Sequence, residues 1–263
     1  MRRLRRILNV PVVAVALYGA IMAGIVWASY AGAQKMGYNW QWYRVPKYIY
    51  TLTDDGFQPG EILIGLWASI RLSAAAFVLA TLLGAAVAIL RMSGLIVGKG
   101  VSVIYLELIR NIPLLVLLYL FYYVLGPIFG LTRWSAAILT LAVFHSALIS
   151  EIFRAGINSV ASGQWEAADA IGMSRAQALR YIIIPQSVRF MLPPLTGEAV
   201  HLIKSSAIVS VIAVAELTTV GRNIIADTYM SFEIWFTVAA VYLALTLVLS
   251  FGVSALERRF NPN

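Results

Sequence analysis

The stretch EILIGLWASIRLSAAAFVLATLLGAAVAIL, residues 61–90, contains a single charge, Arg71, after its opening Glu61. A helix that crosses a bilayer core about 30 Å thick needs roughly 20 mostly apolar residues. The stretch is therefore long enough to span a membrane. Small residues recur at every fourth position, which predicts one helix face that packs closely against a neighbouring helix. They are Ala76, Ala80, Gly84 and Ala88.

The composition of the whole chain agrees with a lipid environment. Of its 263 residues, 60% are hydrophobic and 12% are charged, which is about half the charged fraction of a typical soluble domain. Cysteine is absent, so disulfides and thiolate metal sites are excluded. Six apolar segments predict an all-α integral membrane protein with about six transmembrane helices. Five of them cover residues 7–33, 61–90, 101–126, 188–213 and 234–256. The remaining one, the fourth along the chain, begins at about residue 134 and ends within residues 150–156.

Basic residues indicate how these helices are oriented. Arginines and lysines cluster at residues 2–6, 91–99, 175–180 and 258–259, which all lie on one side if there are six spans. By the positive-inside rule that side is the cytoplasm, so both termini are predicted to be cytoplasmic. The net charge of +8 then comes from basic residues in cytoplasmic loops and termini, and it does not indicate binding to nucleic acid.

The first 60 residues are predicted to form an N-terminal anchor helix and an external linker. The opening MRRLRR resembles the start of a signal peptide, but the apolar run that follows is longer than the roughly 7–15 residues of a cleaved signal. We therefore expect a retained anchor. The linker, residues 34–60, is rich in tyrosine and tryptophan, which favour the membrane–water interface.

Charged side chains recur within the apolar segments, where each costs at least about 2.5 kcal/mol to insert. Three pairs have the same i,i+3 spacing: Glu107 with Arg110, Glu151 with Arg154, and Glu198 with His201; Lys204 follows one turn later. Residues at this spacing share a helix face and can offset each other's charge. The pairs are either neutralised ions near helix ends, whose side chains reach the interface, or a polar pathway for a charged or zwitterionic solute.

Prolines are predicted to interrupt two of the spans. Pro113 frees the carbonyl of Ile109, and Pro193 with Pro194 breaks the start of the fifth span. Broken helices at membrane depth are typical of transport routes. His145 stands alone in the apolar stretch AVFHSAL. We expect it to be a packed side chain without a metal, because the sequence offers no plausible metal pairing with His201.

The sequence lacks the motifs of an enzyme. The loop GLIVGKG, residues 94–100, has one residue too few between its glycines for a phosphate loop and no Ser or Thr after its lysine. The H-E-x-x-H and G-x-S-x-G motifs are absent. The chain is therefore expected to need no cofactor of its own, and uphill transport would draw on an ion gradient or on another subunit.

The polar segment EAADAIGMSRAQALRYIIIP, residues 166–185, interrupts the apolar chain between the fourth and fifth spans. Its alanine-rich start predicts a short helix that ends in a turn at Gly172. Ser174 and Gln177 have capping-box spacing for a second helix, which Pro185 is expected to close. The segment is thus predicted to be a cytoplasmic helix–turn–helix elbow, either a plug for another protein's groove or a structured connector.

This segment resembles the EAA loop of the permeases of bacterial ATP-binding-cassette (ABC) importers. The resemblance is carried by Glu166, Ala167, Ala168, Gly172, Ile182, Ile184 and Pro185; Ile184 stands where the family prefers leucine. The stretches YLELIRNIPLLVLLYLFYY from residue 105, SEIFRAGINSVASGQWEAA from 150 and LIKSSAIVSVIAVAEL from 202 resemble permeases for polar amino acids. The closing ERRF, residues 257–260, does so too, and the resemblance as a whole extends over about residues 61–260.

The resemblance implies a fold, partners and a compartment. Residues 61–260 would be a permease transmembrane domain, a five-helix core to which the N-terminal helix is extra, with a coupling loop at 158–187. Glu166 would contact one subunit of a cytoplasmic ATPase dimer, which binds ATP and magnesium, and Gly172 would make the turn. A second permease chain, identical or homologous, would complete the pore in the bacterial inner membrane. An extracytoplasmic binding protein would deliver the amino acid.

The resemblance also suggests a use for the membrane charges. Paired opposite charges suit a zwitterion, because a carboxylate is attracted to a cation and an ammonium to an anion. The candidates for this pathway, or for a gate, are Glu107, Arg110, Glu151, Arg154 and Lys204. One alternative function is a secondary transporter driven by an ion gradient, and another is a membrane scaffold without a conduit. Dependence of uptake on ATP distinguishes the importer from the secondary transporter.

Overall fold

The computed structural model describes residues 11–54 and 56–260, and side chains outside residues 13–253 are not described. The chain is helical along most of this length, because a helix satisfies its own backbone hydrogen bonds in lipid. The helices are α1 (Pro11–Lys35), α2 (Pro46–Ile49), α3 (Glu61–Met92), α4 (Ile96–Asn111), α5 (Leu114–Tyr119), α6 (Gly126–Phe129), α7 (Arg133–Asn158), α8 (Ser162–Ala170), α9 (Arg175–Ala178), α10 (Ile184–Ser205), α11 (Leu217–Thr228) and α12 (Ser231–Phe260).

Among the described residues, five helical segments are long and apolar enough to cross a membrane: Val13–Lys35, Glu61–Met92, Arg133–Asn158, Arg175–Ile212 and Ser231–Val253. A sixth is obtained if α4 and the helical segment that follows it form one bent span. The structure therefore confirms a predominantly helical chain with five or six candidate spans. The predicted orientation of the termini stays a prediction.

The chain divides into two compact units between Trp42 and Tyr43. The first contains α1, and its stacked Trp40 and Trp42 rings have centroids 6.3 Å apart. In the second, α2 is followed by an antiparallel hairpin of β1 (Tyr50–Thr53) and β2 (Gly56–Pro59), in which Tyr50 pairs with Pro59. The all-helical prediction missed this hairpin. By packing, residues 43–60 belong with the second unit.

Among the described elements, α3 and α7 have the most extensive contact. The predicted row of small residues on α3 is buried, as expected for a close helix contact. At Gly84, a Cβ atom would lie 2.8 Å from Cγ2 of Ile149 and 3.0 Å from the carbonyl oxygen of Ser146. The packing at this position therefore needs glycine.

The predicted third span is not one straight helix. Helix α4 ends at Asn111, and the helical segment that begins at Leu114 leaves at 105° to it. A proline disfavours the helical conformation in the residue before it, and Ile112 is accordingly extended, with φ −94° and ψ 125°. Pro113 thus ends the helix, and the interruption that the sequence predicts at this proline is confirmed.

The predicted break at Pro193 and Pro194 does not occur. Both lie inside α10, which continues to Ser205. Transmembrane helices tolerate proline where neighbouring helices and Ser or Thr side chains compensate for the lost backbone bonds. The Thr196 hydroxyl donates to the carbonyls of Leu192 and Pro193, at 2.9 and 2.7 Å, although the carbonyls that the two prolines leave free are those of Arg189 and Phe190.

Candidate functional site

The first half of the elbow is helix α8 and the turn that ends it. The N–H of Gly172 donates to the carbonyl of Asp169, and the N–H of Met173 donates to that of Ala168, both at 3.0 Å. This pair of bonds is the Schellman arrangement, which needs a left-handed residue after the helix. Gly172 supplies it with φ +76°. The sequence prediction of a turn at Gly172 is confirmed.

The second half restarts at Ser174. Its side chain accepts the backbone N–H of Gln177, while the Gln177 side chain accepts the backbone N–H of Ser174, so the predicted capping box is present. The prediction that Pro185 closes this helix is wrong, because the helix continues past the proline. A π-helical turn at Leu179–Ile183 widens the helix before the proline, and the N–H of Ile184 reaches back to Leu179. The helix therefore runs on into α10 without interruption.

The elbow has a packed inner side and an exposed outer side. Ala168 of α8 and Ala178 of α9 are fully buried, and the two short helices contact each other. Glu166, Ala167, Ile184 and Pro185 are exposed. Ile171, next to the turn, is 70% exposed. The elbow thus presents an acidic residue and an apolar tip on a rigid support.

The predicted pair of Glu151 and Arg154 on α7 forms a forked ion pair. Arg154 donates through Nε and Nη2 to one carboxylate oxygen of Glu151, at 3.0 and 2.9 Å. The other oxygen accepts from Arg91 of α3. We predicted Arg91 only as an orienting loop charge. A single sequence gives no sign of this contact, because Arg91 is 60 residues from its partner.

An open cleft of about 460 Å³ lies beside this ion pair. Helices α7 and α10 form its walls, and it is mainly apolar, with Glu151 as its one charged residue. The lining residues are Glu151, Ile152, Ala155, Gly156, Ser159, Phe190 and Pro194. The Glu151 carboxylate at its edge is already paired with Arg91 and Arg154.

The remaining predicted pathway residues are exposed and separate from this cluster. Glu107 accepts from the side chain of Asn111 at 3.1 Å, and within the described chain it makes no ion pair with Arg110. The predicted Glu107–Arg110 pair is therefore wrong. Arg110 lies in the last turn of α4 and Lys204 in the last turn of α10, where a cation is favoured by the helix dipole.

The structure brings His145 and His201 together around Glu198. Nδ1 of the fully buried His145 is 2.5 Å from Oε1 of Glu198, and Nδ1 of His201 is 3.7 Å from Oε2. The two imidazole centroids are 5.4 Å apart. The expectation of a packed His145 is confirmed, and His201 lies beside it because α7 and α10 pack against each other across the 55 residues that separate the two histidines in sequence.

Sequence reasoning missed Glu216, the fully buried N-cap of α11. Its carboxylate accepts the backbone N–H groups of Thr218 and Thr219, at 2.9 and 2.8 Å. It also accepts from Ser69 of α3 and Tyr242 of α12. Glu216 therefore joins three helices. Glutamate is not among the preferred N-cap residues, so the local sequence gives little indication of this role.

Comparisons with known proteins agree with the elbow and the spans. Residues 80–262 match the model of a family described as "Binding-protein-dependent transport system inner membrane component". The chain is 38% identical over 200 residues to the probable glutamine ABC transporter permease protein GlnM of Bacillus subtilis (strain 168), which covers 75% of this chain and 90% of the relative. It is 39% identical over 197 residues to the glutamine transport system permease protein GlnP of Escherichia coli (strain K12), with coverage of 74% and 88%.

A solved structure has the same architecture. It is described as the crystal structure of an amino acid ABC transporter with histidines, and one of its chains superimposes with a TM-score of 0.71. The two sequences are 40% identical, and the match covers 76% of this chain and 94% of that chain. These similarities favour the importer over the secondary transporter.

Proposed function

Because the chain belongs to the family of binding-protein-dependent transport system inner membrane components, we propose that it is the permease subunit of an ATP-driven importer of polar amino acids. The chain is a multi-pass membrane protein of a transport family, not an enzyme. ATP hydrolysis belongs to a separate cytoplasmic ATPase dimer that binds ATP and magnesium. The relatives named for glutamine suggest a polar amino acid as the solute.

The observation that carries this proposal is the continuity of the elbow with a candidate span. The Schellman turn and the capping box fix the two short helices, and the second runs through the π turn into α10. The side chain of Gln186 at the start of α10 also donates to Gln164 of α8, at 2.9 Å. A force applied to the elbow is therefore transmitted to α10 through a helix rather than through a slack loop.

The outer face of the elbow has the chemistry of a docking surface. The apolar side chain of Ile171 is exposed at the turn, where it can enter a groove of a partner protein. Glu166 and Asp169 add negative charge on the exposed side of α8. We assign this face to a cleft in the ATPase subunit, with Glu166 in direct contact.

The rest of the assembly follows from the family. A second permease chain, identical or homologous, completes the pore, and an extracytoplasmic binding protein delivers the amino acid. The pathway or gate includes Glu151 and Arg154 beside the apolar cleft, while Glu107, Arg110 and Lys204 stay candidates for its polar lining. The elbow and both termini are on the cytoplasmic side of the bacterial inner membrane.

The absence of cysteine from the natural sequence allows a direct test of this arrangement. Ile171→Cys places one thiol on the elbow tip, and Leu52→Cys places one on the hairpin, where the side chain is 76% exposed. A membrane-impermeant maleimide should label Leu52→Cys in intact cells and Ile171→Cys in inverted membranes. In assembled transporter, Ile171→Cys should form a disulfide with a cysteine introduced into the ATPase cleft.

The two variants serve as controls for each other. Labelling of both from the same side of the membrane would contradict the proposed topology. Labelling from opposite sides, but no cross-link between Ile171→Cys and any cysteine of the ATPase cleft, would contradict the docking of the elbow. The Leu52→Cys chain should give no cross-link to the ATPase in either case.

A further inference from the structure

The only two histidines of the chain meet at one carboxylate. His145 lies on α7 and His201 on α10, and one ring nitrogen of each lies within 4.8 Å of the other and of a Glu198 oxygen. The pathway and docking assignments leave all three side chains without a role. Histidine and carboxylate are the donor types that Zn²⁺ and related transition-metal ions bind.

The contact between His145 and Glu198 requires a positive charge between its two atoms. Both Nδ1 and the carboxylate oxygen carry lone pairs, and they are 2.5 Å apart. A proton therefore lies between them at this distance, and a metal ion would have to displace that proton, since two ligands about 2.0 Å from a tetrahedral zinc ion lie roughly 3.3 Å apart. The other nitrogen, Nε2, is buried and has no hydrogen-bond partner within the described residues. It can carry the proton of a neutral imidazole, which leaves the Nδ1 lone pair available to a metal.

To hold one metal ion, the contact between His145 and Glu198 must lengthen from 2.5 Å and His201 must move inward. Ligand nitrogens and oxygens lie about 2.0–2.2 Å from Zn²⁺, so two ligands on one ion are at most about 4 Å apart. The set spans 4.8 Å. The His201 side chain is 54% exposed and can move, whereas His145 is fully enclosed and Glu198 is 11% exposed.

From this geometry we propose that His145, Glu198 and His201 form a binding site for a divalent transition-metal ion of the zinc class. Three protein ligands with one exposed side leave a position for water or another small ligand. The ion would offset the charge of the enclosed carboxylate and would link α7 to α10. His145 is near the middle of α7, so the link would lie well inside the span.

The test is metal binding to the whole chain, purified with a tag that contains no histidine and stripped with a chelator. Titration with Zn²⁺ in a calorimeter should give one saturable site per chain, and Co²⁺ should give the visible absorption of a tetrahedral site. Mg²⁺ should not compete, because it prefers all-oxygen octahedral coordination. His201→Asn should weaken Zn²⁺ binding by at least about tenfold, the lower end of the effect of losing an outer-shell partner.

Exposed His201 is the safe position for this variant, since its replacement leaves the packing of α7 intact. Glu107→Gln, an exposed acid on α4, is the control and should bind Zn²⁺ as the unaltered chain does. The proposal is overturned if the unaltered chain shows no saturable Zn²⁺ site, or if His201→Asn binds Zn²⁺ as tightly as Glu107→Gln. Binding is measured without transport, so failure here leaves the importer assignment unaffected.

Discussion

Gly172 is the residue on which the elbow depends most directly. Its φ of +76° is strained for any residue with a Cβ, and no atom lies within 4 Å of the position that a Cβ would occupy. The effect of a substitution therefore comes from the backbone alone. We expect Gly172→Val to destabilise the turn by about 1–2 kcal/mol and to lower the amount of amino acid taken up per ATP hydrolysed, with normal insertion.

Gly163→Val is the matched control for Gly172→Val. Gly163 lies in the first turn of α8, and a Cβ there also meets nothing within 4 Å, but its φ is not positive. The Gly163→Val variant should keep nearly normal coupling between uptake and ATP hydrolysis. Gly172→Asn should retain more coupling than Gly172→Val, because asparagine tolerates the left-handed conformation. Equal coupling in the two valine variants would argue against the elbow mechanism.

Glu151 is the carboxylate shared by Arg91 and Arg154. In Glu151→Ala both guanidinium groups lose their charged acceptor, and we expect a loss of about 1–2 kcal/mol, since the three side chains are only partly shielded from solvent. Thermal unfolding in detergent measures the stability, and reconstituted uptake measures the function. Glu107→Ala, which removes only a side-chain contact to Asn111, should lower the stability by less. If Glu151→Ala changed neither stability nor uptake, the ion pairs of Glu151 with Arg91 and Arg154 would have neither a structural role nor a role in transport.

Glu216 is a buried acid with a structural role at a junction of three helices. Glu216→Gln keeps the shape but turns an amide N–H₂ towards hydrogen-bond donors. We expect a loss of about 2–4 kcal/mol, because at least two donors lose their charged acceptor. Tyr242→Phe removes one of these donors and should cost about 1 kcal/mol. Thermal unfolding measures the stability of both variants. An equal loss of stability in Glu216→Gln and Tyr242→Phe would contradict the proposed role of Glu216 as an acceptor for several donors.

At the scale of elements, the contact between α3 and α7 determines how the spans pack. Gly84→Ala places a methyl group 2.8 Å from Ile149 and should destabilise the chain by about 1–3 kcal/mol through overpacking. Gly100→Ala, in α4, meets no atom within 4 Å and should be neutral or slightly stabilising, since alanine favours a helix. Thermal unfolding tests the difference; changes of the same sign and size would contradict close packing at Gly84.

Local signals predicted some elements better than others. The turn at Gly172 and the capping box were predictable, because both involve residues close in sequence. The effects of proline were predictable only at Pro113, which ends α4 as expected; Pro185 follows a π turn without closing the helix, and Pro193 and Pro194 are tolerated within α10. The outcome depends on the neighbouring helices and hydroxyl groups that replace the lost bond, and these are set by the tertiary fold.

At the scale of the whole molecule, the number and type of spans could be predicted because bilayer thickness and hydropathy determine them together. The charge clusters could be predicted only in part. The Glu151–Arg154 pair follows from helix spacing, whereas its third member, Arg91, and the approach of His145 to Glu198 depend on which helices pack together. Glu216 was missed for the same reason, since Ser69 and Tyr242 lie on other helices.

Uptake by reconstituted transporter tests the central claim that this chain is a permease coupled to ATP hydrolysis through its elbow. The chain is placed in liposomes with its ATPase and binding protein, and labelled glutamine, glutamate, arginine and histidine are supplied with or without ATP. We predict ATP-dependent uptake of one or two of these amino acids, unaffected by an ionophore and greatly reduced by Gly172→Val. Uptake that needs no ATP and follows an imposed ion gradient would contradict the account.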